Sequence, residues 1–162
     1  MAIYMNFNSK APAGNVTAAG YEDWIEVDSM SFGVGRSITM QAGAMSNREA
    51  SRPSISEVTV TKPLDAASGG LFKASVTGDS GVVVEIHVVQ TGADKVEKYA
   101  VYKLEDVIMS SYSLSASAGG APQESISLSF AKIEADLTHA DKTNKNTNNM
   151  KVGYDLTTAK PL

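Results

Sequence analysis

Over most of its length the chain alternates apolar and polar residues with a period of two, the spacing that sends neighbouring side chains to opposite faces of a β-strand. Ile3, Met5 and Phe7 alternate with Tyr4 and Asn6 until residues 8 to 15, with Pro12 and Gly14, break the pattern. From Tyr21 the chain carries Trp24, Ile25 and Val27, and then Met30, Phe32 and Val34 alternate with Ser29, Ser31, Gly33 and Gly35. These residues predict two strands or one long bent strand, with Gly33 and Gly35 marking a bulge, a bend or the close approach of another backbone. Ile55 to Lys62 places Val58 and Val60 on one face and Glu57, Thr59 and Thr61 on the other, and Pro63 closes that strand.

Residues 82 to 90 and 96 to 104 flank Thr91-Gly92-Ala93-Asp94 and predict an antiparallel hairpin. Val107 to Ser117 continues as strand through Ile108, Met109, Tyr112 and Leu114 to a turn at Gly119-Gly120. Ile126, Leu128 and Phe130 share one phase and Ile133, Ala135 and Leu137 the other, which predicts a bulge near Ala131 or Lys132 in one long strand. A last short strand is expected at Val152, Tyr154 and Leu156. Residues 41 to 54 hold no period and predict an exposed extended loop, and residues 138 to 151, rich in Asn, Thr and Lys, predict a mobile one. The single helix candidate follows Asp65, placed as an N-cap, with Leu71 and Phe72 packing it down although Gly69 and Gly70 weaken it. The expected fold is mainly β: an antiparallel β-barrel or two packed sheets, about ten strands and one short flanking α-helix, in a single domain spanning 1–162.

Composition narrows the function. Lys and Arg number 14 against 18 Asp and Glu, a net charge of -4, and the basic residues are scattered, which disfavours nucleic acid and anionic membranes as partners. Cysteine is absent, so disulfides, thiolate metal sites and cysteine nucleophiles are excluded together. No window reaches the roughly 18 apolar residues of a membrane helix. The first fifteen residues lack the pattern of a Sec-type signal peptide.

The titratable and nucleophilic residues form no recognisable catalytic pattern. His87 and His139 show no metal-ligand spacing, and His87 alternates with Glu85 as a polar sheet position would. Glu22-Asp23 and Glu105-Asp106 are adjacent pairs that a strand points to opposite faces. Ser110, Ser111, Ser113, Ser115 and Ser117 lack a GxSxG elbow and suit a polar strand face. No catalytic residue, cofactor or metal is expected, and the protein is expected not to be an enzyme.

Four ordered segments carry a family pattern: Ile25 to Ser37, Val58 to Leu71, Tyr102 to Ser111 and Glu124 to Phe130, followed by the ending Val152 to Leu156. Thr61 to Ser68 is the most specific stretch. On these residues the chain resembles the Hcp (haemolysin-coregulated protein) family of type VI secretion. It departs from many members at Gly69-Gly70, where they start the helix with a proline, and in an expanded segment at 141 to 149. The resemblance implies a two-sheet barrel with one helix, assembled as a homohexameric ring whose rings stack into a tube. It further implies spike, sheath and baseplate proteins and effectors as partners. The protein would reside in the bacterial cytoplasm before firing and then be secreted without a signal peptide. Because the chain ends six residues beyond Leu156, any effector is expected to bind noncovalently or to travel elsewhere.

Two site expectations follow. Arg48, Glu49 and Arg52 lie in the long polar loop 41–53 and are expected to reach a neighbouring subunit or ring. Ser29, Ser31 and Ser115 alternate with Met30, Phe32 and Leu114 and are expected to face a water-filled lumen and contact effectors. The competing readings are a contractile phage tail-tube subunit, and a β-sandwich that binds carbohydrate through Tyr4, Trp24, Tyr99 and Tyr102.

Overall fold

The computed structural model describes residues 1–39, 42–43, 49–50, 52–91, 96–140 and 146–162, of which 39, 49, 50, 91, 96, 139, 140 and 146–148 are described by their backbone alone. Its elements in chain order are β1 (Ala2–Phe7), β2 (Ile25–Val27), β3 (Ser29–Ser31), β4 (Val34–Gly35), β5 (Ile38–Thr39), β6 (Glu49–Ala50), β7 (Ser54–Ile55), β8 (Val58–Pro63), α1 (Ser68–Thr77), β9 (Val82–Thr91), β10 (Val96–Ser115), β11 (Gln123–Ser129), β12 (Lys132–Ala140), β13 (Asn146–Asp155) and β14 (Lys160–Pro161).

The strands form two sheets that share the 20-residue β10. The first runs β2-β1-β9-β10-β12-β13-β14 and the second β10-β11-β8-β3, with every pairing antiparallel. β10 passes from one to the other at Asp106, where φ is +51° and the register against β9 shifts between Leu104 and Val107. An extra residue at that point turns the strand, as a β-bulge does. The chain makes a second crossing at Asp28, between β2 in one sheet and β3 in the other, held by its N–H donating to the Thr61 carbonyl. The circuit β1, β2/β3, β8, β11, β10, β9 and back to β1 is thus a barrel, and β12 to β14 extend from it as a wing.

Its interior is the apolar face that alternation assigns: Met5, Phe7, Ile25, Val27, Val58, Val60, Val84, Ile86, Leu104, Ile126 and Leu128 are all buried. Close packing of this kind is what makes one register, and not its neighbour, acceptable.

Several local expectations need correction. The phase change after Phe130 is a break between two strands, since β11 pairs with β8 and β10 while β12 pairs with β10 and β13. Val107 onward continues as strand, as expected, in the same element as residues 96 to 104, and it ends at Ser115 instead of Ser117. Strand order reaches further into the polar segment 138–151 than expected, with β12 ending at Ala140 and β13 starting at Asn146; residues 141–145 lie outside the described residues. Within the aperiodic stretch 41–54 the described residues include short strands: β6 pairs with β5 and β7 with β4, so these four strands build a two-stranded arm. The hairpin of β9 and β10 is present, and its turn, 92–95, lies outside the described residues.

The helix also differs. Its N-cap position is Ala67, which has no side-chain cap, and it ends at Gly78 in the left-handed conformation that glycine tolerates (φ +64°). Leu71 is buried but Phe72 is 56% exposed. Gly70 serves contact: a Cβ there would lie 2.5 Å from the Pro12 Cβ, so the first loop crosses the helix only over a glycine.

Candidate functional site

The second sheet has an unusual outer face. Direct partners across it are Ser29 with Thr61, Ser31 with Thr59, Thr61 with Ser125, Thr59 with Ser127, Ser125 with Ser113 and Ser127 with Ser111. Four strands thereby present a continuous field of hydroxyls, because each carries Ser or Thr at the two positions that alternate with core residues. Ser29 Oγ lies 2.5 Å from Thr61 Oγ1, and Thr59 Oγ1 3.5 Å from Ser127 Oγ. The Ser110 hydroxyl donates to Glu57 Oε2 at the margin, at 2.7 Å. The field itself holds no charge. The structure brings Ser29, Ser31 and Ser115 onto this one face, Ser115 at its far edge opposite Gln123.

Among the described residues both edges of this sheet are open: β3 pairs only with β8, and the Ile108–Ser115 half of β10 pairs only with β11. Each edge adjoins exposed apolar side chains. Beyond β3 the arm offers Val34 and Ile38, and Phe32 stacks edge-on against Tyr102 with ring centroids 5.5 Å apart. Between arm and wing lies a groove of about 510 Å³ lined by Phe32, Val34, Ile55, Tyr102, Leu137 and Val152. At the other edge a shallow trough of about 540 Å³ runs between α1 and β10, lined by Leu64, Phe72, Tyr112 and Leu114.

The trough rests on a buried ionic cluster. Lys62 and Glu124 are direct partners of β8 and β11 and point into the barrel end, where neither side chain is exposed. Lys62 Nζ donates to Glu124 Oε2 at 2.5 Å, Asp65 Oδ1 at 2.9 Å and the Pro63 carbonyl at 2.8 Å, and Ser68 Oγ lies 3.4 Å from it. Ser68 Oγ donates to Glu124 Oε2, and the Tyr112 hydroxyl to Oε1. The Ala67 N–H donates to Asp65 Oδ1, so the strand end, the helix start and β10 meet at one fully bonded centre. Burial by itself raises the Glu124 pKa, and the hydrogen bonds from Lys62, Tyr112 and Ser68 outweigh it, leaving the carboxylate below its ordinary range. Tyr112 is pushed up to about 12, by burial first and then by its bond to the Glu124 carboxylate. This gives the stretch Thr61 to Ser68 its physical meaning: it anchors the helix. Sequence reasoning passed over Lys62 and Glu124, although each is a charge standing in an inward phase.

His87 is not an exposed sheet position. It shares a face with Glu85, but Tyr21 and Trp24 of the segment between β1 and β2 cover it, leaving it 6% exposed. The Tyr21 hydroxyl lies 3.1 Å from Nδ1 and Glu85 Oε2 3.7 Å from Nε2. Trp24 is buried, so it offers no platform to a sugar. Of the expected loop residues, Arg48 lies outside the described residues, Glu49 is described by its backbone in β6, and Arg52 is exposed on the arm. Among the described residues no group of three His, Cys, Asp or Glu is placed to hold a metal ion, and no helix is long and apolar enough to cross a membrane.

Comparison with known proteins agrees with this architecture. The family profile described as type VI secretion system effector, Hcp, matches residues 4–137. Among curated proteins none matches the chain. A solved structure described as a type six secretion system protein is 28% identical, with 99% of each chain covered and a TM-score of 0.90. Hcp1 from Salmonella typhimurium is 23% identical, with 100% of each chain covered and a TM-score of 0.74. A type VI secretion system effector from Yersinia pestis is 18% identical, covering 94% of this chain and 98% of its own, with a TM-score of 0.73. With the family match extending over most of the barrel and a fold shared end to end, the chain belongs to the Hcp family of type VI secretion proteins.

Proposed function

We propose that the protein is the repeating subunit of the secretion tube: copies join edge to edge into a hexameric ring, rings stack, and the hydroxyl face lines the lumen. The protein works as a wall and carrier, with spike, sheath and baseplate proteins around it and effectors inside, and not as a catalyst. It is made in the cytoplasm and exported when the machine fires.

The observation that carries this reading is the four-stranded sheet with a hydroxyl face and two open edges. Its strands alternate in direction, and four is an even number. Rotating a copy about an axis along the sheet therefore sets β10 of one subunit beside β3 of the next in antiparallel sense, and the alternation continues unbroken around a closed ring. An odd number of strands would force a parallel junction at every boundary. Closure also removes the exposed edges that would otherwise pair without control. A lumen of serine and threonine suits transport, since hydroxyls hold water and form individually weak hydrogen bonds without selecting cargo by charge.

The absence of native cysteine makes the test clean. Ser29→Cys on β3 is combined in turn with Ser111→Cys, Ser113→Cys or Ser115→Cys on the open half of β10. Within one chain these strands are separated by β8 and β11, roughly 14 Å at about 4.8 Å per strand, too far for a disulfide. At least one pair is expected to yield an oxidised ladder ending at a hexamer on non-reducing gels. Monomer bands from all three would overturn the edge-to-edge ring. In the same ring Ser31→Gln is expected to reduce retention of effector without changing ring size, and unchanged retention would remove this face from the effector contact.

A further inference from the structure

The segment between β1 and β2 is a strap laid over the outside of the first sheet. Residues 8–24 hold no helix or strand, and φ is positive at Asn8, Ser9 and Lys10, where the strap leaves β1, and again at Asp23, where it returns to β2. Left-handed backbone at such residues is strained and persists only where surrounding contacts enforce it. Those contacts form a second apolar cluster, separate from the barrel interior: Val16, Tyr21 and Trp24 of the strap close over Val89, with Ala2 and Tyr4 at its border. Backbone bonds tie the strap to itself, from the Gly14 N–H to the Asp23 carbonyl, from the Val16 N–H to the Trp24 carbonyl and from the Asp23 N–H to the Val16 carbonyl.

His87 is sealed beneath that cluster, 6% exposed, with the rings of Trp24 and Tyr21 centred 4.7 and 5.5 Å from its own. The Tyr21 hydroxyl, 3.1 Å from Nδ1, can donate to the neutral ring. Protonation turns Nδ1 into a donor and takes that acceptor away. The surrounding charges do not compensate. Glu85 on the same strand comes within 3.7 Å of Nε2, but its side chain is 38% exposed and solvent weakens its pull, while Lys98 of β10 adds repulsion. Tyr4 of β1 packs on Tyr21 and brings no charge, and Glu26 and Asp136 stand farther along the same face, beside Tyr4 and Val101. A desolvated imidazolium is therefore the species that the closed strap excludes, and lifting the strap returns the ring to water. We propose that residues 8–24 form an acid-released latch: proton uptake by His87 drives the strap off the sheet as a local unit, baring Tyr21 and Trp24 while the barrel stays folded. The separate apolar cluster under the strap is what lets it open without the barrel interior. The latch is a property of one copy and does not depend on ring closure.

Hydrogen exchange on the full chain, corrected for the intrinsic pH dependence of amide exchange, tests it. With the strap open His87 titrates at its ordinary 6.5, and with the strap closed at about 4, so the opening constant is expected to rise on the order of 100-fold between pH 7 and pH 4. The amides of Gly14, Val16 and Asp23 report the strap, and those of Val58 and Val60, on buried strand β8, report the barrel. At every pH in that range the strap amides are expected to show a larger opening constant than the barrel amides, and to show the rise. His87→Gln is expected to remove the rise while leaving the strap closed at pH 7; His87→Asn takes its place if circular dichroism shows that the first variant is misfolded. Strap and barrel amides with one common opening constant would overturn the latch, because the strap would then open only with the whole fold. Strap amides whose opening constant does not rise would overturn it as well. A rise that persists in the His87 variant would assign the acid response to the exposed carboxylates Glu22, Asp23 or Glu26 and remove His87 from it.

Discussion

Replacing Glu124 with leucine tests how the helix-anchoring centre works. The substitution keeps the bulk of the side chain and removes its charge, leaving Lys62 fully buried with Asp65 Oδ1 at 2.9 Å as its remaining carboxylate partner among the described residues. Removing one member of a buried ion pair costs roughly 3–5 kcal/mol, because the other charge stays desolvated. Since Asp65 remains, the low end applies, about 3 kcal/mol. For a chain of this length that corresponds to a fall in Tm of roughly 6–12 °C. Lys62→Met leaves Glu124 with hydrogen bonds from Ser68 and Tyr112 but no cation, and a loss of about 3 kcal/mol is expected there too. The double variant replaces both charges with apolar groups of similar size. Such exchanges are often near neutral, so it is expected to cost no more than either single change, a coupling of about 3 kcal/mol. Urea unfolding followed by the fluorescence of Trp24, the single tryptophan, measures all three at a fixed subunit concentration, because assembly adds to apparent stability. Losses that simply add, or a cost below about 1 kcal/mol for Glu124→Leu, would refute the reasoning.

Three further outcomes are expected. Burial first, and the Lys98 charge second, lower the His87 pKa from 6.5 to about 4, with Tyr21, Tyr4, Trp24 and Glu85 around the ring. Its unfolded form takes up a proton below pH 6.5 while the folded form stays neutral to about pH 4, so stability falls as pH drops through that window, by about 3 kcal/mol in total. His87→Gln is expected to flatten the pH dependence of unfolding between 6.5 and 4, and an unchanged slope would contradict the burial argument. Gly14→Ala places a Cβ 2.2 Å from the Trp24 carbonyl oxygen, and a loss of about 2 kcal/mol in urea unfolding is expected as the covering segment shifts. Wild-type stability there would mean that the segment passes Trp24 at a greater distance. Deleting residues 41–53, with Arg48, Glu49 and Arg52, is expected to leave single rings but abolish stacked tubes in electron micrographs; tubes of normal length would remove this loop from the stacking contact.

The barrel was legible wherever a strand has one wet and one dry face, because burial then imposes the period of two on the residues themselves. Val58 to Lys62 and Gln123 to Ser129 are such strands, and their inward apolar residues and outward hydroxyls follow from alternation. Legibility failed where a strand changes its surroundings midway. Phe130 to Lys132 reads as a bulge in one strand because a phase shift looks the same whether the chain kinks or leaves one sheet for the other. The wing strand Asn146–Asp155 was hidden for a different reason: its first half is polar on both faces, so only its hydrogen bonds to β12 define it. Phe72 was expected to pack because helices of small domains bury their large apolar residues, yet ten residues with two glycines bury only a narrow stripe at Ser68 and Leu71. His87 read as a polar sheet position, and its burial was not legible because the cover over it, Tyr21 and Trp24, is remote in sequence. Lys62 and Glu124 left a readable signal, opposite charges in inward phases, whose meaning depended on knowing that β8 and β11 are neighbours. Ser29, Ser31 and Ser115 could be placed on one sheet face because that face obeys alternation, whereas an arm or loop follows no period that could reveal its contacts.

The central claim is that these subunits close into a ring around a hydroxyl-lined hole. Imaging the purified protein by electron microscopy, with its mass in solution from light scattering, tests it most directly. Annular particles with a central opening and a hexameric mass are the expected result. A single-subunit mass at high concentration, with no annular particles on the grid, would contradict it.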